Sequence, residues 1–173
     1  MGLAAQLHSQ QPRLEVVLYQ PEIPPNTGNI ARLCAATQTP LHLIKPLGFS
    51  LDDRHLKRAG LDYWPYVEVT VWDCFEDYWD ATPHVRRIFT SARRGTPIFS
   101  FDFRSGDHLV FGPETRGCPN EYLDRNTDCI ARIPIWGHVR SLNLSTAAGI
   151  VLYEALRQTR FQGGNVREEA EFS

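Results

Sequence analysis

Short apolar runs of four to six residues alternate along this chain with stretches patterned for helices. That alternation constrains the fold more than any single motif. The runs are Leu14–Tyr19, Leu41–Lys45, Val67–Trp72, Arg87–Thr90, Ile98–Phe101, His108–Phe111 and Ile130–Ile135. Their length and Val/Ile/Leu content read as buried strands. Between them, Asn26 or Thr27 caps a predicted helix whose apolar stripe is Ile30, Leu33, Cys34 and Thr37. Asp52 opens a second helix, stopped by Gly60, and Asp73–Trp79 reads as a third. The last helix runs from about Asn143 to Gln158, with Ser141 or Asn143 as its N-cap. Strands alternating with helices predict an α/β domain with a mostly parallel sheet flanked by helices. In such sheets ligands bind at the carboxyl ends of the strands, so the strand-end loops are where chemistry is sought.

The chain has 173 residues, 42% of them hydrophobic and 22% charged, which excludes a disordered chain and suits one domain. The expected division is a flexible extension over 1–13, a single domain over 14–160 and a polar tail over 161–173. The four cysteines, Cys34, Cys74, Cys118 and Cys129, form no CxxC pair, and no Cys/His cluster has metal-ligand spacing. The N-terminus lacks a signal-peptide pattern, and no apolar run approaches the roughly 20 residues of a membrane span. The expectation is a cytoplasmic protein without metal or membrane. A net charge of -2 argues against a wholly basic nucleic-acid binder. Yet 16 of the 18 basic residues are Arg, whose planar fork suits phosphate and aromatic stacking.

Three stretches carry more than fold. In PPNTGNIARL (24–33), Arg32 falls opposite the apolar stripe with Asn29 beside it at i−3. In LVFGPETRG (109–117), a strand breaks at Gly112-Pro113 and places Glu114 in a glycine-bounded loop, where backbone can approach a ligand closely. In IPIWGHVRSLNLS (133–145), a strand leads through a polar loop into the last helix. That helix is apolar around most of its circumference, which points to a sheet on one side and either more core or a partner subunit on the other. Of the histidines His42, His55, His84, His108 and His138, only His138 lies in one of these stretches. No phosphate loop, dinucleotide fingerprint or Gly-x-Ser-x-Gly elbow is present.

Read together and in this order, PEIPPNTGNIARLCA, LKRAGLDYW, LVFGPETRG and RIPIWGHVRSLNLSTA resemble the SPOUT superfamily of RNA methyltransferases. Within it the match resembles the TrmL (YibK-like) tRNA (cytidine/uridine-2'-O-)-methyltransferases, and it covers Leu14 to Gln158. The resemblance implies a C-terminal deep trefoil knot, which general topology rules argue against. It also implies a homodimer with its active site at the subunit interface. The implied reaction is S-adenosyl-L-methionine-dependent 2'-O-methylation of the ribose at the wobble nucleotide of the tRNA anticodon loop. Arg32 and Asn26 match the catalytic positions of the first motif. Ser91, Gly112, Glu114, Ile133, Ser141, Leu142 and Asn143 match the cofactor-binding positions, many through backbone groups. Trp136-Gly137-His138-Val139 is a local departure in a loop implied to meet cofactor and RNA.

Candidate RNA contacts are Arg54, Lys57, Arg58, Arg93, Arg94 and Arg140. An enzyme docking on one tRNA loop needs a local positive patch rather than a basic molecule. Two alternatives stay open from sequence: a 2'-O-methyltransferase for another tRNA or rRNA position, and a non-catalytic RNA- or nucleotide-binding module.

Overall fold

Among the described residues seven parallel strands form one sheet, in the order Val69–Trp72, Leu41–Ile44, Glu15–Tyr19, His108–Phe111, Arg87–Ser91, Ile130–Arg132, Thr96–Pro97. The structure is a computed structural model that describes residues 13–51 and 61–160. The expected helix over 52–59, with Arg54, Lys57 and Arg58, and the two expected terminal segments through residue 12 and from residue 161 lie outside the described residues.

The strands are β1 (Glu15–Tyr19), β2 (Leu41–Ile44), β3 (Val69–Trp72), β4 (Arg87–Ser91), β5 (Thr96–Pro97), β6 (His108–Phe111) and β7 (Ile130–Arg132). The helices are α1 (Pro24–Thr37), α2 (Phe75–Ala81), α3 (Asn120–Arg125) and α4 (Leu144–Thr159). β2 and β6 are buried along their whole length, as expected for parallel strands covered on both faces.

Alternation along the strands divides the core. Val16, Leu18, Leu41, Leu43, Leu109 and Phe111 face α1 and α4, which bring Ile30, Cys34, Ala148, Val151, Leu152 and Ala155. Val17, Ile44, Phe89, Val110 and Ile130 face α2 and α3, which bring Phe75, Tyr78 and Leu123. Each fully buried Leu or Ile stabilises the fold by about 1.5–3 kcal/mol over an exposed one.

Three expectations are corrected. Ile98–Phe101 is not a strand: Ile98–Ser100 is a 3₁₀ turn, and the strand is the two-residue β5 before it. Its apolar run reflects Ile98 and Phe101 turning into the core, since burial alone does not distinguish a strand from a turn. α3 carries no sequence signal, because Pro119 sets its start without a side-chain cap and Leu123 is its one buried residue. The α1 helix begins at Pro24 rather than after Asn26 or Thr27. Pro24 and Pro25 occupy first-turn positions where their missing N–H groups cost nothing.

β7 lies between β4 and β5, although only residues 92–95 join those two strands. That connection must therefore cross β7. It does so at Gly95, where φ is +95° and an added Cβ would lie 2.2 Å from the carbonyl oxygen of Ile130. Only glycine fits this crossing.

Candidate active site

α1 has no side-chain cap of its own; its N-cap is Ile23. The acceptor comes from across the sheet. Glu22 N donates to Glu114 Oε2 at 2.8 Å, and Ile23 N to Glu114 Oε1 at 3.1 Å. Asn26 Nδ2 also donates to Oε1, at 3.0 Å. A carboxylate can only accept here, so the Asn26 amide is oriented with its oxygen turned away from Glu114. That oxygen accepts from Asn143 Nδ2 at 2.9 Å. Asn143 Oδ1 in turn caps α4 by accepting from Ser145 N and Oγ and from Thr146 N. Glu22 returns the contact by accepting from Thr115 N and Oγ1. The three stretches singled out in sequence are thus one hydrogen-bonded bracket, and Asn143, rather than Ser141, is the cap.

The remaining expected site residues lie along one edge. Ser91, Gly112 and Ile133 sit at or just past the carboxyl ends of β4, β6 and β7, which are neighbours in the sheet. Ser91 Oγ accepts from Arg93 N and Arg94 N and so shapes the loop that crosses β7. At Gly112 an added Cβ would lie 2.1 Å from Cys118 N and from the Gly117 carbonyl carbon, because the loop over 113–117 folds back onto it. Ile133 and Leu142 are half-buried, and Ser141 and Asn143 are exposed. Arg32 and Asn29 are exposed on the outer face of α1, as the helical spacing predicts. The Arg32 guanidinium lies 4.6 Å from the centroid of the Tyr63 ring, within cation–π range. Asn26 differs from both. It is buried and both polar ends of its side chain are engaged.

A cleft of about 270 Å³ opens at the carboxyl ends of β1 and β6, lined by Tyr19, Gln20, Pro113, Arg116, Gly117, Cys118, Pro119 and Asn120. The chain leaves β1 toward β2 and β3 and later returns on the other side of β1, so this is the switch point of the sheet.

A cluster that sequence spacing did not reveal lies at the opposite end of the sheet. Glu15, His42 and His108 come together from three strands, their donor atoms within 4.8 Å of one another. Trp72 Nε1 donates to His42 Nδ1 at 3.0 Å. An indole N–H cannot accept, so neutral His42 carries its proton on Nε2 and donates it to Glu15 Oε2 at 2.5 Å. His108 Nε2 reaches the same oxygen at 3.2 Å, while its Nδ1 pairs with Tyr78 Oη at 2.8 Å. A metal on His42 Nε2 would need the ring proton on Nδ1, against the Trp72 N–H. The cluster is therefore satisfied as a hydrogen-bond chain.

The fold agrees with what known proteins show. The sequence pattern of the SpoU rRNA Methylase family matches residues 13–153. The chain belongs to that family. It is 53% identical over 151 residues to the tRNA (cytidine(34)-2'-O)-methyltransferase of Methylovorus glucosotrophus, covering 86% of this chain and 97% of that one. It is 46% identical over 157 residues to the enzyme of the same name from Escherichia coli K12, covering 90% and 99%. A solved structure concerned with the 2-OH methylation of C/U34 on tRNA superposes with a TM-score of 0.80 at 51% identity, covering 84% of this chain and 95% of that one. An AdoMet-bound rRNA methyltransferase from Sinorhizobium meliloti superposes at 0.75 and 28% identity, covering 87% of this chain and 58% of that one. The family match accounts for the motif order read in sequence, and the parallel sheet is that of these neighbours.

Proposed function

We propose that this chain transfers a methyl group from S-adenosyl-L-methionine to the ribose 2'-oxygen of nucleotide 34 in the anticodon loop of tRNA. The observation that carries this reading is the bracket of Glu114, Asn26 and Asn143, which fastens α1 and its Arg32 to the loops at the ends of β6 and β7. Identity of 46–53% to the named tRNA enzymes supports the substrate.

The strand-end loops fit the cofactor chemically. Ser91, Gly112, Glu114, Ile133, Ser141, Leu142 and Asn143 would hold it, with Ile133 and Leu142 offering apolar surface to an adenine ring. The Glu114 carboxylate is already filled by three N–H donors, so its part is to fix the loop whose backbone faces the ligand. When bound, the sulfonium supplies an activated methyl group for in-line displacement. The protein supplies orientation and a better nucleophile, because a neutral ribose hydroxyl is a poor one.

Arg32 is the residue assigned to that hydroxyl. A guanidinium stays protonated in proteins, so a role as general base is disfavoured. Its fork instead positions the ribose or its phosphate and stabilises the developing alkoxide, with Tyr63 stacked beneath it. Asn26 positions, through Glu114 and Asn143, the helix that carries Arg32. Arg32→Ala is expected to lower kcat by about 10²–10³-fold, the usual cost of one transition-state donor. Near-normal turnover of Arg32→Lys with a shifted pH profile would overturn bidentate positioning. Nucleoside analysis of tRNA after incubation with labelled cofactor tests the whole reading, and absence of 2'-O-methylated nucleoside 34 defeats it.

Three finer statements belong to the same reading. The C-terminal segment is threaded into a trefoil knot, supported by β7 lying beneath the short β4–β5 connection. The enzyme is a homodimer, supported by the exposed Ile23, Ile150 and Tyr153 on α4 and at the start of α1. It works in the cytoplasm and needs no metal. Among the described residues no helix is long and apolar enough to cross a membrane.

A further inference from the structure

Trp136 is 85% exposed, whereas the described Trp64, Trp72 and Trp79 are all at least partly covered. Val139, three residues on, is 60% exposed as well, so two large apolar side chains of one loop stand uncovered rather than one scattered residue. Its loop is anchored at both ends. It leaves the sheet at Arg132, the end of β7, and re-enters the fold at Asn143, which is bound to Asn26. Residues 136–141 between these anchors are all exposed.

The loop itself carries no acidic side chain. Residues 133–143 contain no Asp or Glu but include His138 and Arg140. The neighbouring loop after β4 adds Arg93 and Arg94, of which Arg94 pairs with Asp124. The carboxylate of Glu114 beyond β6 is occupied by its three donors. A flat aromatic face on a loop that carries Arg140, with Arg93 on the neighbouring loop, matches a single-stranded nucleic-acid base with its phosphates. A second copy of the chain is a poorer match here. The exposed Ile150 and Tyr153 on α4 offer a face of apolar character that suits a copy better.

We propose that Trp136 is a stacking platform for one unstacked base of the anticodon loop, with His138 and Arg140 meeting the adjacent phosphates. This rests on the tRNA reading above and extends it to a residue that determines substrate binding. Stacking on one aromatic side chain is worth about 5- to 100-fold in affinity.

The test uses the full chain with an unmodified anticodon stem-loop RNA carrying C34. Trp136→Ala is expected to raise KM for this RNA by about 5- to 100-fold, far more than it lowers kcat. Trp136→Phe and Trp136→Tyr should recover most of the loss, and Trp136→Leu, apolar but ringless, should not. Binding of S-adenosyl-L-methionine, followed by calorimetry, should be retained throughout. Full activity of Trp136→Leu, loss of cofactor binding by Trp136→Ala, or its dissociation in sedimentation would each overturn the proposal. The last would make a second copy the occupant. If the wild-type chain transfers no methyl group, the functional reading fails by itself. RNA binding measured by gel shift then decides the stack: equal binding by wild type and Trp136→Ala overturns it, and Trp136-dependent binding supports it.

Discussion

The two ends of the sheet are closed by the same device used to different ends. At each, one carboxylate collects several N–H donors from different segments. At the carboxyl end, Glu114 gathers two backbone N–H groups and an amide. None of those donors titrates near neutral pH. At the amino end, Glu15 gathers two histidines. Beside them Arg87, also nearly buried, donates to the carbonyls of Trp79 and Thr82 at the end of α2 and stacks 3.8 Å from the Trp79 ring centroid. The site end is thus braced by a carboxylate whose donors do not titrate, with exposed loops around it. The far end is sealed and titratable. On that separation, proton uptake at the far end is expected to change stability and to leave the site end as it is.

The largest expected effect is at the site end. Gly112→Ala puts a methyl group onto the Cys118 and Gly117 backbone, so the loop over 113–117 must open. A loss of about 3 kcal/mol or more in denaturant unfolding is expected, together with loss of cofactor binding. An unchanged midpoint would mean that the loop is not built around this glycine.

Next is the pH dependence of the far end. Burial pushes the His108 imidazole down to about 4 from its ordinary 6.5. The unfolded chain therefore binds a proton between pH 6.5 and 4 that the folded chain refuses. Stability is full above pH 6.5 and falls toward pH 4, by up to about 3 kcal/mol from this residue. The Glu15 carboxyl is held below its usual range by its His42 hydrogen bond and both histidines, outweighing the opposing effect of its burial. It adds a further loss as pH falls below the ordinary carboxylate range. His108→Phe is expected to flatten the curve between pH 6.5 and 4 while leaving cofactor affinity as it was. A change in that affinity would couple the two ends and break the contrast.

A smaller loss follows from Glu114→Gln, which turns an amide N–H₂ toward a donor it cannot satisfy. About 1–3 kcal/mol is expected, with activity falling more than stability because α1 carries Arg32. Equal activity would remove the bracket from the mechanism. The smallest effect is Trp72→Phe, which deletes the donor to His42 Nδ1 and should cost about 1 kcal/mol with no change in turnover.

Much of this was legible in the chain. The β1, β2 and β6 runs are short and mostly Val, Leu and Ile, and such runs have few alternatives to a buried strand. The faces of α1 follow from 100° per residue, which put Arg32 and Asn29 outside. Residue type narrowed the α4 cap to Ser141 or Asn143, and the structure decided for Asn143. Other features were hidden because their partners are distant in sequence. Asn26 reads locally as a cap, yet its partners are 88 and 117 residues away. His42 and His108 look scattered until the parallel register sets Glu15 against His108 and brings β2 alongside.

The sequence by itself determined the alternation of strands and helices, the outward Arg32 and the three loops that carry the family's motifs. These depend on spacing and side-chain type within a few residues. Tertiary structure alone decided that Glu114 caps a helix it does not belong to, that Gly95 is the crossing point over β7, and that one carboxylate seals the far end with two histidines. Each of those rests on strand order, which brings together groups that local periodicity cannot relate.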